Sequence, residues 1–478
     1  MKHIFIVLFL LFSTGFKNIF SGELTLNTLA PDFSLRELKT DKLYTLDDLI
    51  ETQNVTLLSF FNTTCEPCIK EISYLIQLQK KFKDKNFQIY LINIDKITKE
   101  ILDKFCSQNS IDLPVLMDPY GVQTGEKYNV LKNNIVRLPK LVLINKTGIV
   151  KKIIEGLKIE DQSDLEKIIN ELISEPAEKF TLKQKASLVI LFSNSINGNL
   201  KSCDCPSAPF GGMDRRKTLV NEIRQKYPNV LVMDSGDILS PYKNELLAEY
   251  CLKATKLINY DVLTFGDQEF INGIDFITEK IQQNNLPFIS ANLSYCEKDK
   301  NICNFFEGYK IKQLGDYKIG IIGIISPEVF FFFPKNIKED LKITSSTEAI
   351  NTFIKEFTNK VDLIIVLSHS GFDKDKIIAD TISGIDVIVG GHSQTFLKTP
   401  FISPKNKTII VQAGEKGEYL GELIFRFNNK KKISSYEYQL IPLDKNIPPD
   451  KEMSELLTEY NNKLYLKNKT LLKTPPPY

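Results

Sequence analysis

Apolar residues come in two kinds of run along the first third of the chain. Val55–Phe61, Phe87–Asn93 and Leu141–Asn145 are nearly unbroken and rich in branched and aromatic side chains, the pattern of strands buried on both faces. Ile149–Ile154 reads as a further strand. Between Val55–Phe61 and Phe87 the spacing changes, and Ile69, Ile72, Leu75, Ile76 and Phe82 recur at three and four residues, which predicts an amphipathic helix. Ser163-Asp164-Leu165-Glu166 has the form of a capping box and predicts a helix from Ser163 to about Ser174-Glu175-Pro176. Glu178 to Lys185 is charged and lacks a core pattern, so a seam is expected there.

A second series of short apolar runs begins at Ala186: Leu188–Phe192, Val230–Met233, Val262–Phe265, Phe288–Ala291, Ile319–Ile325, Leu363–Leu367, Val387–Val389 and Ile409–Gln412. Helical stretches separate several of them, which predicts a layered α/β domain. The expected organisation is a signal segment over 1–22, one domain over 23–175 and a linker over 176–185. A second domain over 186–445 and a C-terminal helix and tail over 446–478 follow.

Length and charge narrow the picture. The 478 residues suffice for two or three full cores, and 61 basic against 59 acidic residues leave a net charge of +2. That balance gives no electrostatic case for a nucleic-acid partner. Met1-Lys2-His3 followed by Ile4 to Phe12 has the charged start and short apolar core of a secretory signal, interrupted at Lys17. Export to a periplasmic or other extracytoplasmic compartment is expected, where disulfides persist.

Cys65-Glu66-Pro67-Cys68 stands between the first strand run and the helical pattern. Two thiols two residues apart at a helix start can close and reopen as a disulfide, and the amide end of the helix stabilises a thiolate. A zinc half-site needs two more ligands, and this region offers one other cysteine, Cys106. A static disulfide is the remaining bland reading. Phe60-Phe61-Asn62-Thr63-Thr64-Cys65-Glu66-Pro67-Cys68 resembles the strand-to-helix turn of TlpA-like thioredoxins, without the usual tryptophan. Ala30-Pro31-Asp32-Phe33-Ser34-Leu35 resembles the opening of redoxins. The resemblance implies a thioredoxin fold over about 29–157 and a cis-proline at Pro139, beside the disulfide. It also implies a thiol–disulfide oxidoreductase with Cys65 attacking and Cys68 resolving. No cofactor is implied for this domain; its partners would be protein thiols or disulfides and a membrane electron donor.

The remaining polar candidates sit at strand ends beside glycine. Asp237 closes Met233-Asp234-Ser235-Gly236-Asp237, Asp267 follows Phe265-Gly266, His369 follows Leu367-Ser368, and His392 follows Gly390-Gly391. Such positions converge on one crevice in open α/β sheets, so a metal site is expected there rather than four unrelated core residues. The series resembles the metallophosphoesterase domain of the 5′-nucleotidase family over about 186–430. The resemblance implies a layered α/β metallophosphoesterase fold, with Asp237, Asp267, His369 and His392 holding one metal such as manganese, iron or zinc. A second metal would fall to Ser195, Asn197, Asp237 and Gln394, where hydroxyl and amide groups are weak ligands. Gln268 stands at the family's catalytic histidine. A phosphoester or sulfur-ester substrate is the implied ligand, kept as an alternative to a non-catalytic scaffold.

Other cysteines remain. Cys296 and Cys303 are expected in a static disulfide. Cys203 and Cys205 are too close for an unstrained mutual bridge and read as labile, metal-ligating or paired elsewhere. Cys106 and Cys251 are expected as buried thiols.

Overall fold

The computed structural model describes residues 24–132, 135–175, 188–202, 210–297, 302–428 and 431–471. The expected signal segment, the 176–185 linker and the Cys203/Cys205 loop lie outside these residues.

The first region has strands β1 (Ser34–Glu37), β2 (Leu43–Thr45), β3 (Val55–Phe61), β4 (Phe87–Asn93), β5 (Val115–Met117), β6 (Leu131–Lys132), β7 (Ile135–Val136), β8 (Lys140–Ile144) and β9 (Val150–Glu155). Its helices are α1 (Leu46–Glu51), α2 (Glu66–Lys81), α3 (Lys99–Gln108) and α4 (Ile159–Ser174). Seven strands form one sheet in the order β2-β1-β5-β4-β3-β8-β9, and β6 pairs with β7 in a separate hairpin. The central β3 is buried throughout and pairs parallel with β4 and antiparallel with β8, which explains its unbroken apolar run. The closing helix begins at Ile159, not at Ser163: the Asp161 carboxylate accepts from the Lys158 backbone N–H, so the cap lies one turn earlier than the Ser163 box suggested.

The second region has strands β10 (Leu188–Ser193), β11 (Val230–Asp234), β12 (Val262–Thr264), β13 (Phe288–Ile289), β14 (Leu293–Glu297), β15 (Ile302–Phe305), β16 (Tyr309–Leu314) and β17 (Tyr317–Ile325). It continues through β18 (Leu341–Ile343), β19 (Leu363–His369), β20 (Val387–Gly390), β21 (Phe401–Ile402), β22 (Ile409–Val411), β23 (Tyr419–Phe427) and β24 (Ile433–Pro442). Helices α5 (Met213–Lys226), α6 (Glu245–Ile258), α7 (Ile274–Asn284), α8 (Lys335–Asp340), α9 (Ser346–Phe357), α10 (Phe372–Thr381) and α11 (Lys451–Leu471) complete it. Two six-stranded sheets, β13-β12-β11-β10-β23-β24 and β16-β17-β19-β20-β22-β21, share one core through Ile190, Phe192, Met233, Ile321, Leu367 and Val389. Helices α5, α6 and α11 cover one outer face, and α9 and α10 the other, giving helix, sheet, sheet and helix layers. Strands β10 to β13 run parallel, as do β17, β19, β20 and β22.

The two regions touch through polar side chains. Arg36 pairs with Glu222, Lys226 with Asp48 at 2.8 Å, and Arg426 bridges Asp47, at 3.2 Å, and Glu437. Gln439 Nε2 donates to Ser34 Oγ at 2.8 Å.

Candidate functional site

Cys65 caps helix α2. Its Sγ accepts the Cys68 backbone N–H at 3.2 Å, and Pro67 occupies the first turn, where a missing N–H leaves no bond unmade. The two sulfurs are bonded to each other. Cys65 is half-buried, whereas Cys68 is 1% exposed and packs with Ile72 and Leu75. The Leu138–Pro139 peptide bond is cis, and Leu138 packs against the same cluster as Cys65. One residue escaped the sequence reading. Glu71 follows Cys68 by one turn on the buried face of α2; its Oε2 accepts from Leu157 N–H at 3.1 Å and its Oε1 has no partner. Burial pushes its pKa up to about 7. An acid on the apolar stripe of a helix was the signal that marked it.

The second site gathers residues from both sheets of the second region. Asp237 follows β11 and Asp267 follows β12; His369 ends β19 and His392 follows β20. One ligand atom from each lies within 4.8 Å of the others. His369 Nε2 stands 3.3 Å from both Asp237 Oδ2 and Asp267 Oδ1, and His392 Nδ1 is 3.3 Å from Asp267 Oδ1. The His369 side chain is fully buried, whereas that of His392 is 38% exposed, so the cluster opens to solvent on the His392 side.

The chain holds these groups rigidly. His369 Nδ1 lies 2.7 Å from the Ser235 carbonyl, which can only accept, so Nδ1 carries a hydrogen and Nε2 faces the carboxylates. Glu269 accepts four backbone N–H groups, from Gly266, Asp237, Ile238 and Leu239, and so fixes both aspartate turns. A side chain at Gly266 would meet Asp237 Oδ1 at 2.3 Å, and one at Gly236 would meet His369 Nδ1 at 2.8 Å, which explains the glycines beside these residues. The role of Glu269 leaves no mark in the sequence, because its work is done on backbone groups that a sequence does not locate.

His369 Nε2 and Asp267 Oδ1 are both buried without a hydrogen-bond partner. Two buried electron-rich atoms 3.3 Å apart repel unless a proton or a cation lies between them. Burial alone would lower the His369 pKa, but the Asp237 and Asp267 carboxylates raise it well above the usual imidazole range. Burial would likewise raise Asp267, and the two histidines hold it at about 2. The donor set of two imidazoles and two carboxylates fits a borderline divalent cation.

The residues aligned with a second ion are present in the same frame. Ser195 N–H donates to Gly236 O at 2.9 Å and Asn197 N–H to Asp237 O at 2.8 Å, so the two turns run side by side. Ser195, Asn197, Asp237, His392 and Gln394 all adopt left-handed backbone conformations, with φ from 48° to 68°. Such values are uncommon outside glycine and are kept where surrounding bonds enforce them. Gln268 donates to both carboxylate oxygens of Asp237 at 3.1 Å, from its backbone N–H and from Nε2.

The register places Cys296 opposite Cys303 in the antiparallel β14–β15 pair. Cys106 and Cys251 are free, buried thiols.

Comparisons with known proteins follow the same division. Residues 26–153 match the sequence profile of the AhpC/TSA family. The 5′-nucleotidase of Bos taurus is 32% identical over 309 residues, which cover 58% of this chain and 53% of that protein. The chain thus spans about half the length of the curated relatives it matches. Among solved structures, the 5′-nucleotidase precursor from Thermus thermophilus is 24% identical with a TM-score of 0.52, covering 58% of this chain and 59% of its own. A calcineurin-like phosphoesterase from Bacillus subtilis is 21% identical with a TM-score of 0.50, covering 58% of this chain and 97% of its own. The chain carries a thioredoxin-like redoxin region followed by a 5′-nucleotidase-like region of metallophosphoesterase fold.

Proposed function

We propose that the protein is an exported thiol–disulfide oxidoreductase whose redoxin domain, residues 23–175, is fused to a 5′-nucleotidase-like domain, residues 186–445, that binds one divalent ion. The asymmetry of the two sulfurs carries the first half of this reading: Cys65 caps α2 and reaches solvent, and Cys68 is buried behind it. In the reductive direction, the Cys65 thiolate attacks a partner disulfide, forms a mixed disulfide and releases the partner's other sulfur as a thiolate. Cys68 then loses its proton and attacks Cys65 Sγ. The Cys65–Cys68 bond closes, and the partner leaves as a dithiol with two electrons gained. Glu71, with a pKa near 7 and one turn away, is the group suited to take the Cys68 proton. Pro139 lines the groove that receives the partner. A membrane electron donor would return the pair to the dithiol form; no helix among the described residues is long and apolar enough to cross a membrane.

In the second domain, Asp237, Asp267, His369 and His392 would hold the ion, and the two unpartnered atoms His369 Nε2 and Asp267 Oδ1 are the observation that supports this. A bound divalent ion would supply Lewis-acid polarisation of a phosphoester or sulfur-ester oxygen. The chain's own contribution at this point is weak in one respect. Gln268 cannot protonate a leaving group, and its amide is occupied on Asp237, so ester turnover is expected to be slow.

Two measurements on the full chain test the proposal. Reduction of insulin disulfides with dithiothreitol as electron source should be accelerated by the wild-type protein, and an unaltered rate would sink the redox reading. Metal analysis after reconstitution with manganese, iron or zinc should give one tightly held ion per chain. None, or two, would overturn the single-ion reading.

A further inference from the structure

Helix α11 outruns the core it closes. Met453 and Leu457 are buried in the cluster beneath α5 and α6, and Leu456 and Tyr460 pack partly against it. Beyond Tyr460 no described residue of the helix is buried, yet it continues for about three further turns to Leu471. A helix end without a core is marginal in water, and its apolar side chains gain nothing there. That end is not simply polar: Tyr465 and Leu466 stand 65% and 60% exposed.

Charge is segregated at the same place. The last acid in the sequence is Glu459, and Lys463, Lys467, Lys469 and Lys473 follow it. Four of the 61 basic residues and none of the 59 acidic ones therefore lie past Glu459, in a chain that is otherwise nearly balanced. Lys463 pairs with Glu459 at 3.1 Å and adds no net charge, whereas Lys467 and Lys469 have no acidic partner among the described residues. The loop before α6 stands beside this end: Lys243, Asn244 and Glu245 face Leu464, Lys467 and Asn468 across an open cleft of about 410 Å³. Tyr242, next to Lys243, is 78% exposed. Two exposed tyrosines and a leucine thus share one end of the molecule with three lysines, against the single acid Glu245.

We propose that the projecting turns of α11, with Tyr242 and Lys243, form a docking surface for a lipid bilayer that carries anionic headgroups. Lys243, Lys467 and Lys469 lie against the headgroup phosphates, and Tyr242, Tyr465 and Leu466 enter the boundary between headgroup and acyl chain. The docking is peripheral, since no helix among the described residues is long and apolar enough to cross a membrane. A second copy of the chain would set lysine against lysine. An acidic polymer would match the lysines but leave the tyrosines and Leu466 in water. The surface includes no residue of the disulfide turn or of the Asp237, Asp267, His369 and His392 cluster.

The chain has no tryptophan, so Tyr465→Trp in the full chain places a single reporter on this surface. Its emission should shift to the blue, and be quenched by brominated lipid, with vesicles of phosphatidylcholine and phosphatidylglycerol. With phosphatidylcholine alone it should stay that of an exposed indole. The readout is local, so attachment of vesicles through another segment does not imitate it. Adding Lys467→Gln and Lys469→Gln should raise the lipid concentration for half-maximal shift by about 30-fold. Glutamine sustains a helix as well as lysine does, so the melting temperature should hold. In 1 M salt, where charges are screened beyond ~3 Å, the shift should vanish. Unshifted emission with both kinds of vesicle, or an unaltered lipid dependence in the double lysine variant, would overturn the proposal. An equal shift with phosphatidylcholine alone would overturn the assignment of anionic lipid. A shift with polyglutamate but not with vesicles would give the surface to an acidic polymer instead.

Discussion

The disulfide turn and the ligand cluster are built by opposite means. Cys65, Cys68 and Glu71 lie on two successive turns of one helix, so local spacing alone sets their relation. Asp237, Asp267, His369 and His392 are far apart in the chain and meet only because two parallel strand sets end at one crevice, two residues from each sheet. A site of the first kind survives as long as its helix is capped and packed. A site of the second kind depends on the whole double-sheet core. The two should therefore fail independently under local substitution and together only when the core or the seam between the regions is disturbed.

The largest expected effect comes from Cys65→Ser. Disulfide reduction should fall to the uncatalysed rate, because no other cysteine lies at the exposed cap, while metal content should stay at that of the wild type. Loss of metal in this variant would break the claimed independence. The converse change is Asp267→Asn or His392→Ala. Removing a ligand should lower metal affinity by about 100-fold or more, read by competition with a chelator, and leave disulfide reduction unaltered. Retention of one ion at wild-type affinity in both variants would remove these residues from the site.

How far each site could be read from sequence follows from the same contrast. The CxxC motif and its helix needed only spacing, and the buried strands β3, β4 and β8 announced themselves by unbroken apolar runs. The four strand-end polar residues were legible as types and positions, though the distance among them required the pairing order of two sheets. Glu269 and Ser235 act through backbone amides and a carbonyl, which carry no sequence signature of that role. Strands β1, β2 and β5, the long β23–β24 hairpin and the small β15-β14-β18 sheet were missed, since their runs are short or mix charge with apolar residues. Ser163 misled because a side chain of the right type lay inside a helix whose backbone cap was Lys158.

The seam offers a change that should touch both regions at once. Arg426 is 7% exposed and joins Asp47 of the first region to Glu437 of the second. Truncating it leaves two buried acids without their cation, so Arg426→Ala should destabilise the chain by about 3 kcal/mol in denaturant unfolding. It should also turn one cooperative transition into two, because the regions lose a buried link between them. A single transition at wild-type midpoint would mean that the remaining links, Arg36 with Glu222, Lys226 with Asp48 and Gln439 with Ser34, couple them without it.

The smallest predicted effect concerns protons in that seam. Asp32, Asp47, Asp48, Glu422 and Glu437 face Lys127, Lys226 and Arg426 there, so acids outnumber bases. Burial pushes Glu422 up from 4.5 to about 7, with the Asp32 charge adding to the rise and Gln439, Lys226 and Lys127 opposing it. A carboxyl with a raised pKa binds more protons folded than unfolded. Its stabilising contribution is therefore complete below pH 4.5 and is lost as pH rises through about 7. The shift bounds this loss at ~3 kcal/mol, and the cations nearby should keep it below the effect of Arg426→Ala. Glu422→Gln should flatten the fall in melting temperature over that window, since an amide keeps the Gln439 contact and cannot ionise. Parallel melting curves for the two proteins across the window would show that the Glu422 proton does not contribute to holding the regions together, and would shift the cause of any pH dependence to Glu437, whose carboxyl burial also pushes up.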